Sequence, residues 1–190
     1  MKKKNAKKTI TIGFYKTQLN NNSLINKLAT CWTAKPNSEH VYSHVELRFS
    51  DGSTTSITQD TGYVHYDKNR TLSNAGYTCF YEIDIDETIE TIVQEYAMQC
   101  NERKIPFNTW AVYWNFLPIC SNYPIRANTK AFFCSEYITT LMHKINQCPE
   151  LIPELTSPTD LYISLKNNPQ FAITFNRTLY RPNCIKLLSD

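Results

Sequence analysis

Glycine is scarce, at four in 190 residues, which excludes a collagen-type repeat with glycine at every third position. With 42% apolar and 13% aromatic residues against nine prolines, the composition also excludes a disordered chain. Long apolar runs are missing as well. No stretch approaches the ~20 residues that a membrane-spanning helix requires, and the expectation is a protein without a transmembrane segment. A secretory leader would need an apolar core behind the first lysines, but Thr9-Ile10-Thr11-Ile12-Gly13-Phe14-Tyr15-Lys16 is short and broken by threonines. It reads as a strand, and a reducing compartment, cytosol or nucleus, is expected.

Cys-x-x-Cys is also missing. The seven cysteines, at positions 31, 79, 100, 120, 134, 148 and 184, are odd in number and irregular in spacing. They form neither a disulfide framework nor a structural zinc pattern. Most read as small buried hydrophobes. His40-x-x-x-His44 has the spacing of a metal pair, but its segment reads partly as strand and lacks a nearby third ligand. No metal and no organic cofactor are expected.

The length suits one domain able to close a core without staples. The formal charge of +3 includes Lys2, Lys3, Lys4, Lys7 and Lys8, so the remainder carries 3 − 5 = −2. Residues 1–8 therefore read as a disordered basic tail and 9–190 as the single domain. Such a tail is expected to be solvated, with no specific nucleic-acid partner.

Hydrophobic periodicity gives an α+β chain. Leu24, Ile25, Leu28, Ala29 and Trp32 fall at helical spacing over 23–34. Tyr42 to Phe49 alternates, with Val45, Leu47 and Phe49 on one face and His44, Glu46 and Arg48 on the other. Ser50-Asp51-Gly52 signals a hairpin into 53–59. A three-residue turn there puts Ile57 on the face of Val45 and Leu47, and sets Ser56 on the face of His44 and Glu46. Strands follow near 63–66 and 78–85, and a helix from Asp86 through Arg103 shows Ile89, Ile92, Val93, Tyr96, Ala97 and Cys100 on one face. The aromatic stretch 108–117 reads as a short helix. Phe133 to Ile145 reads as a buried-face helix, Ser157-Pro158-Thr159-Asp160 as the capped start of another, and 171–175 as a last strand.

Position distinguishes Cys134 from the other cysteines. At a helix start, unpaired amides and the positive end of the dipole favour a thiolate, the form that attacks carbonyl carbon. The same amides can serve an oxyanion. A thiolate nucleophile also needs an imidazole nearby. Of the four histidines, His44 lies on the best-defined strand and His65 on a later one. His143 follows Cys134 on its own helix by about 13 Å, too far to pair.

The strings Tyr42-Ser43-His44-Val45-Glu46-Leu47-Arg48-Phe49-Ser50-Asp51-Gly52 and Phe132-Phe133-Cys134-Ser135-Glu136-Tyr137, with Asp60-Thr61-Gly62-Tyr63-Val64 and Ser157-Pro158-Thr159-Asp160-Leu161, carry a resemblance. They resemble the circularly permuted NlpC-type papain-like hydrolases, including lecithin:retinol acyltransferase-like proteins and bacterial, phage and large-DNA-virus relatives. The resemblance covers about residues 9–166. It implies a small antiparallel sheet packed on helices, with the cysteine at a helix N-terminus and the histidine on an earlier strand. Cys134 would be the nucleophile and His44 the base, acting on a peptide, amide or lipid-ester substrate through an acyl-enzyme.

Many permuted members carry His or Glu twelve positions after the catalytic histidine, where this chain has Ser56. Glu46, on the face of His44, is the available carboxylate and is favoured as the third catalytic residue, because a carboxylate better stabilises imidazolium; Ser56 is the alternative holder of the imidazole. Trp110, Tyr113 and Trp114 would line an acyl or peptide groove. The competing reading is a catalytically silent module that keeps the fold to bind a peptide, lipid or host protein.

Overall fold

A computed structural model describes residues 6–15, 42–68, 77–116 and 130–176. The expected helix over 23–34, His40 and most of the Lys-rich tail lie outside these residues. Along the described chain run β1 (Lys7–Tyr15), β2 (His44–Arg48), β3 (Thr54–Ile57), β4 (Val64–Asp67) and β5 (Tyr77–Asp86). Helices α1 (Glu87–Glu102), α2 (Thr109–Phe116) and α3 (Cys134–Lys144) follow, then a 3-10 turn (Pro153–Leu155), α4 (Pro158–Asn167) and β6 (Ala172–Asn176). The six strands form one antiparallel sheet in the order β4-β3-β2-β1-β5-β6. The chain is α+β, as its periodicity predicts. Among the described residues no helix is long and apolar enough to cross a membrane.

β1 is central because both its neighbours match its apolar alternation. Ile12 sits opposite Leu47 and Tyr81, and Ile10 opposite Ile83, all buried. Burying these side chains is the main stabilising term. The strand begins at Lys7, inside the stretch read as tail. Lys7 pairs in the ladder with Asp86, and Lys8 Nζ lies 3.5 Å from Glu87 Oε1, so the ladder recruits both lysines.

The β2–β3 turn has three residues. Phe49 N–H donates to Ser53 O at 2.8 Å and Gly52 N–H to Phe49 O at 3.0 Å, with Gly52 at φ +86°, a conformation that favours glycine. Leu47 then faces Thr55, Ile57 enters the core, and Ser56 falls on the opposite face.

α1 packs on β4 and β5 with the face its apolar residues predict, Val93, Ala97 and Cys100 being buried and Ile89 and Tyr96 packed against the core, except at one edge. Ile92 is 54% exposed, whereas Glu90 is buried. Glu90 accepts Ser50 N–H at 2.6 Å and Ser50 Oγ–H at 2.9 Å. Two residues correspond to about 200° around a helix, so turning Glu90 inward turns Ile92 out. Gln94 Nε2 donates to Asp51 Oδ2 at 2.8 Å, one helical turn further on. Two polar contacts therefore clamp the helix to the hairpin tip.

Replacing Glu90 by Ala strips a buried charged acceptor from two donors, and the expected loss is about 2 kcal/mol in urea unfolding. Ile92→Ala is expected to stay within about 0.5 kcal/mol of the parent despite its larger apolar side chain.

Candidate active site

The segment before α3 is fixed by backbone contacts. Phe132 N–H donates to Pro106 O at 3.0 Å, and Asn108 N–H to Phe132 O at 2.8 Å, which ties residues 106–108 to the entry of the helix. The N-cap residue, Phe133, has extended backbone and offers no side-chain acceptor. Glu136 supplies the cap from the third helical position, its Oε2 accepting Phe133 N–H at 3.2 Å. Farther along, Tyr137 OH lies 2.8 Å from Thr55 Oγ1, so α3 is tied to β3 as well.

This places Cys134, the first residue of α3, against the start of β2. Its Sγ lies 3.9 Å from Ser43 O. The Val45 amide also addresses the sulfur, as do the amides of Ser135 and Cys134 itself, and all three favour the thiolate. The thiol therefore abuts both peptide groups that flank His44. Cys134 is only 8% exposed, and burial outweighs the amides, pushing the thiol up to about 11. The helix start acts in the direction expected from the sequence, but desolvation of the charged form is larger. At neutral pH the resting sulfur is a thiol.

His44 opens β2 and is half-buried. Ser56 Oγ lies 3.2 Å from His44 Nε2 and donates its own hydrogen to Val45 O at 2.8 Å. A serine hydroxyl has one hydrogen. With that hydrogen on Val45 O, the oxygen is the acceptor toward the ring, so Nε2 carries hydrogen and Nδ1 of a neutral His44 is the acceptor nitrogen. Of the two groups expected to hold the imidazole, Ser56 is hydrogen-bonded to it. The β2–β3 ladder has two Cα pairs, Leu47 with Thr55 and Arg48 with Thr54. Beyond its end, Ser56 and Cys134 meet the carbonyl and the amide of Val45.

Glu46 is fully buried on the same sheet face, and its Oε1 lies 3.9 Å from His65 Nε2. Ser56 stands directly opposite His65 in the β3–β4 register. A carboxylate, a hydroxyl and two imidazoles thus share one face of β2, β3 and β4. The sequence reading gave His65 no role. The signal was available in period-two alternation, which puts His65 and Asp67 on one face of β4 and Val64 and Tyr66 on the other.

Trp110 is 76% exposed and so is not part of the core. The side chains of Tyr113 and Trp114 lie outside the described residues. A groove of about 600 Å³ does exist, bounded by Leu151, Ile152, Leu155 and Ile163 on apolar sides and by Asp160 and Asn168. It touches neither Cys134 nor His44. Cys79, Cys100, Cys134 and Cys148 are all buried and unbridged. Among the described residues no cluster of three or more His, Cys, Asp or Glu is arranged to hold a metal ion.

No protein-family model, no curated protein and no solved structure matches this chain.

Burial pushes the Glu136 carboxyl up to about 7, against the opposing Phe133 N–H, and the like charge of Glu154 adds to the rise. Its folded pKa exceeds the ordinary value of 4.5, so the native state holds a proton that the unfolded state releases. Stability from this group is full below that ordinary value, falls as pH rises toward about 7, and is flat above. Glu136→Gln is expected to remove that slope. In pH-resolved denaturant melts, the variant should gain on the parent by on the order of 2 kcal/mol between acid and neutral pH.

Proposed function

We propose that the chain is a thiol hydrolase or acyltransferase of the permuted papain-like kind, with Cys134 as nucleophile and His44 as base. The observation that carries this reading is the arrangement around Val45. Ser56 accepts from His44 Nε2 while donating to Val45 O, and the Cys134 sulfur sits at the peptide groups on either side of His44.

The chemistry follows from the protonation states. The resting thiol gives its proton to His44 Nδ1 as Sγ attacks the carbonyl carbon of an amide or ester. The carbonyl π pair moves to oxygen, where the first-turn amides of α3 are suited to receive the oxyanion. Collapse expels the amine or alcohol, which takes the proton from Nδ1, and leaves a thioester on Cys134. Water or another acceptor then loses a proton to His44, attacks the thioester and releases Cys134. Because burial keeps the sulfur protonated at rest, His44 takes the proton during attack rather than stabilising a preformed thiolate.

Ser56 is the positioning residue for His44. As an uncharged acceptor it holds the ring but adds no negative charge to stabilise the imidazolium. Glu46, two residues along β2 on the same face, is the buried carboxylate assigned that charge. The chemistry uses neither metal nor organic cofactor, and the peptide, amide or lipid-ester class of substrate rests on the sequence resemblance. Buried, unbridged cysteines suit a reducing compartment such as cytosol or nucleus. The second reading, a silent binding module, is favoured by one observation, the burial that pushes the Cys134 thiol up to about 11.

Alkylation of Cys134 followed against pH separates the two readings. An active pair predicts an inflection in the parent that lies below that of His44→Ala by at least about one pH unit, a tenfold rate difference in the intervening range. Superimposable profiles would leave the binding module as the better account.

A further inference from the structure

Ser135, the second residue of α3, is fully buried, and among the described residues its hydroxyl has no oxygen or nitrogen partner, addressing only the adjacent Cys134 sulfur. A serine inside a helix ordinarily bonds the carbonyl three or four residues back. At the second helical position those carbonyls belong to residues 131 and 132, before the helix begins. Burial of a hydroxyl whose one acceptor is a weakly accepting thiol sulfur works against folding, and alanine would fill the position without that cost. The feature is therefore poorly explained by stability. It is explained by its neighbour, because Cys134 is the group in this first turn that acquires negative charge.

We propose that Ser135 is a thiolate-stabilising residue, its buried hydroxyl held as a donor that engages Cys134 Sγ when the sulfur is negatively charged. This deepens the proposed function and rests on it. The charge appears twice in the cycle, as the thiol proton passes to His44 and as the thioester collapses to release the thiolate. Ser135 keeps its own proton throughout, so it makes and breaks only a hydrogen bond. The amides of Val45, Cys134 and Ser135 address the same sulfur, and the Ser135 hydroxyl acts in the same direction. Ionisable groups on the elements around the helix start are His44, Glu46 and Arg48 on β2, Glu136, Tyr137, His143 and Lys144 on α3 and Glu154 on the 3-10 turn. All are retained when Ser135 alone is changed.

The test uses the full chain as parent, Ser135→Ala, Ser135→Thr, His44→Ala and, as a control, Thr139→Val, which removes a second buried hydroxyl on the same helix. Two quantities are read: the iodoacetamide rate at Cys134 at neutral pH, located by mass spectrometry, and the urea midpoint. Ser135→Ala is expected to slow alkylation about tenfold, one pKa unit of lost thiolate stabilisation, with a midpoint equal to or above the parent's. Ser135→Thr should keep the rate within about threefold if its hydroxyl replaces the donor. Thr139→Val should leave the rate unchanged.

An unchanged rate in Ser135→Ala, with a slowed rate in His44→Ala, would overturn the role of Ser135 and leave the Cys134–His44 pair standing. A slowed rate accompanied by a lowered midpoint would also overturn it, because the serine would then be structural. If His44→Ala has no effect on the rate, the proposed function fails, and the role of Ser135 fails with it.

Discussion

The site depends on one backbone position, Val45. The β2–β3 ladder has its last pair at Leu47 and Thr55. At Val45 two side chains reach the strand, Ser56 donating to its carbonyl and Cys134 lying at its amide. Buried backbone groups need partners, and here the partners are the side chains proposed to carry the chemistry. The positions of the Cys134 sulfur and the Ser56 hydroxyl thus follow from the sheet itself. The central strand β1 fixes β2, the three-residue turn fixes β3, and the two Phe132 contacts fix the start of α3.

Two opposing effects act on the Cys134 sulfur. Helix-start amides favour negative charge by a modest amount that falls off within a turn. Desolvation disfavours it, and in a site only 8% exposed it is the larger effect. The result is a sulfur held as a thiol, so that in the proposed reaction a base must take its proton as it attacks. Entry of a substrate into the first turn would change the balance, because a polar carbonyl replaces part of the apolar surroundings. A buried thiol also resists adventitious oxidation, which begins from exposed thiolate.

Much of the fold was legible because apolar alternation and periodicity dominate the core. The faces of β2, the turn length that brings Ile57 inward, and the buried face of α3 all follow from side-chain period alone. Less legible was one edge of the α1 face. Its apolar residues favour burying Ile92, but a carboxylate with two strong donors at Ser50 turns Glu90 inward instead. Period arguments weigh hydrophobicity and cannot see a partner brought in from forty residues away.

The candidate site divides along the same line. Cys134 and His44 were legible as a helix start and a strand face, and Ser56 as a residue in register with them. The net thiol protonation was not, because burial depends on what packs against the helix start. Nor was the approach of His65 to Glu46, which needs the β4 register. Sequence reading favoured Glu46 over Ser56 as the group that holds His44; Ser56 hydrogen-bonds the ring, and Glu46 also approaches His65.

The account turns on which ring nitrogen of His44 bears hydrogen. Nitrogen-15 NMR of the side-chain imidazoles, with His44 assigned by its absence from His44→Ala, reads this directly. In the neutral ring the account predicts hydrogen on Nε2, held by Ser56, and a shift of that balance in Ser56→Ala. Hydrogen on Nδ1 in the parent would contradict it, since the base would then face away from its proton.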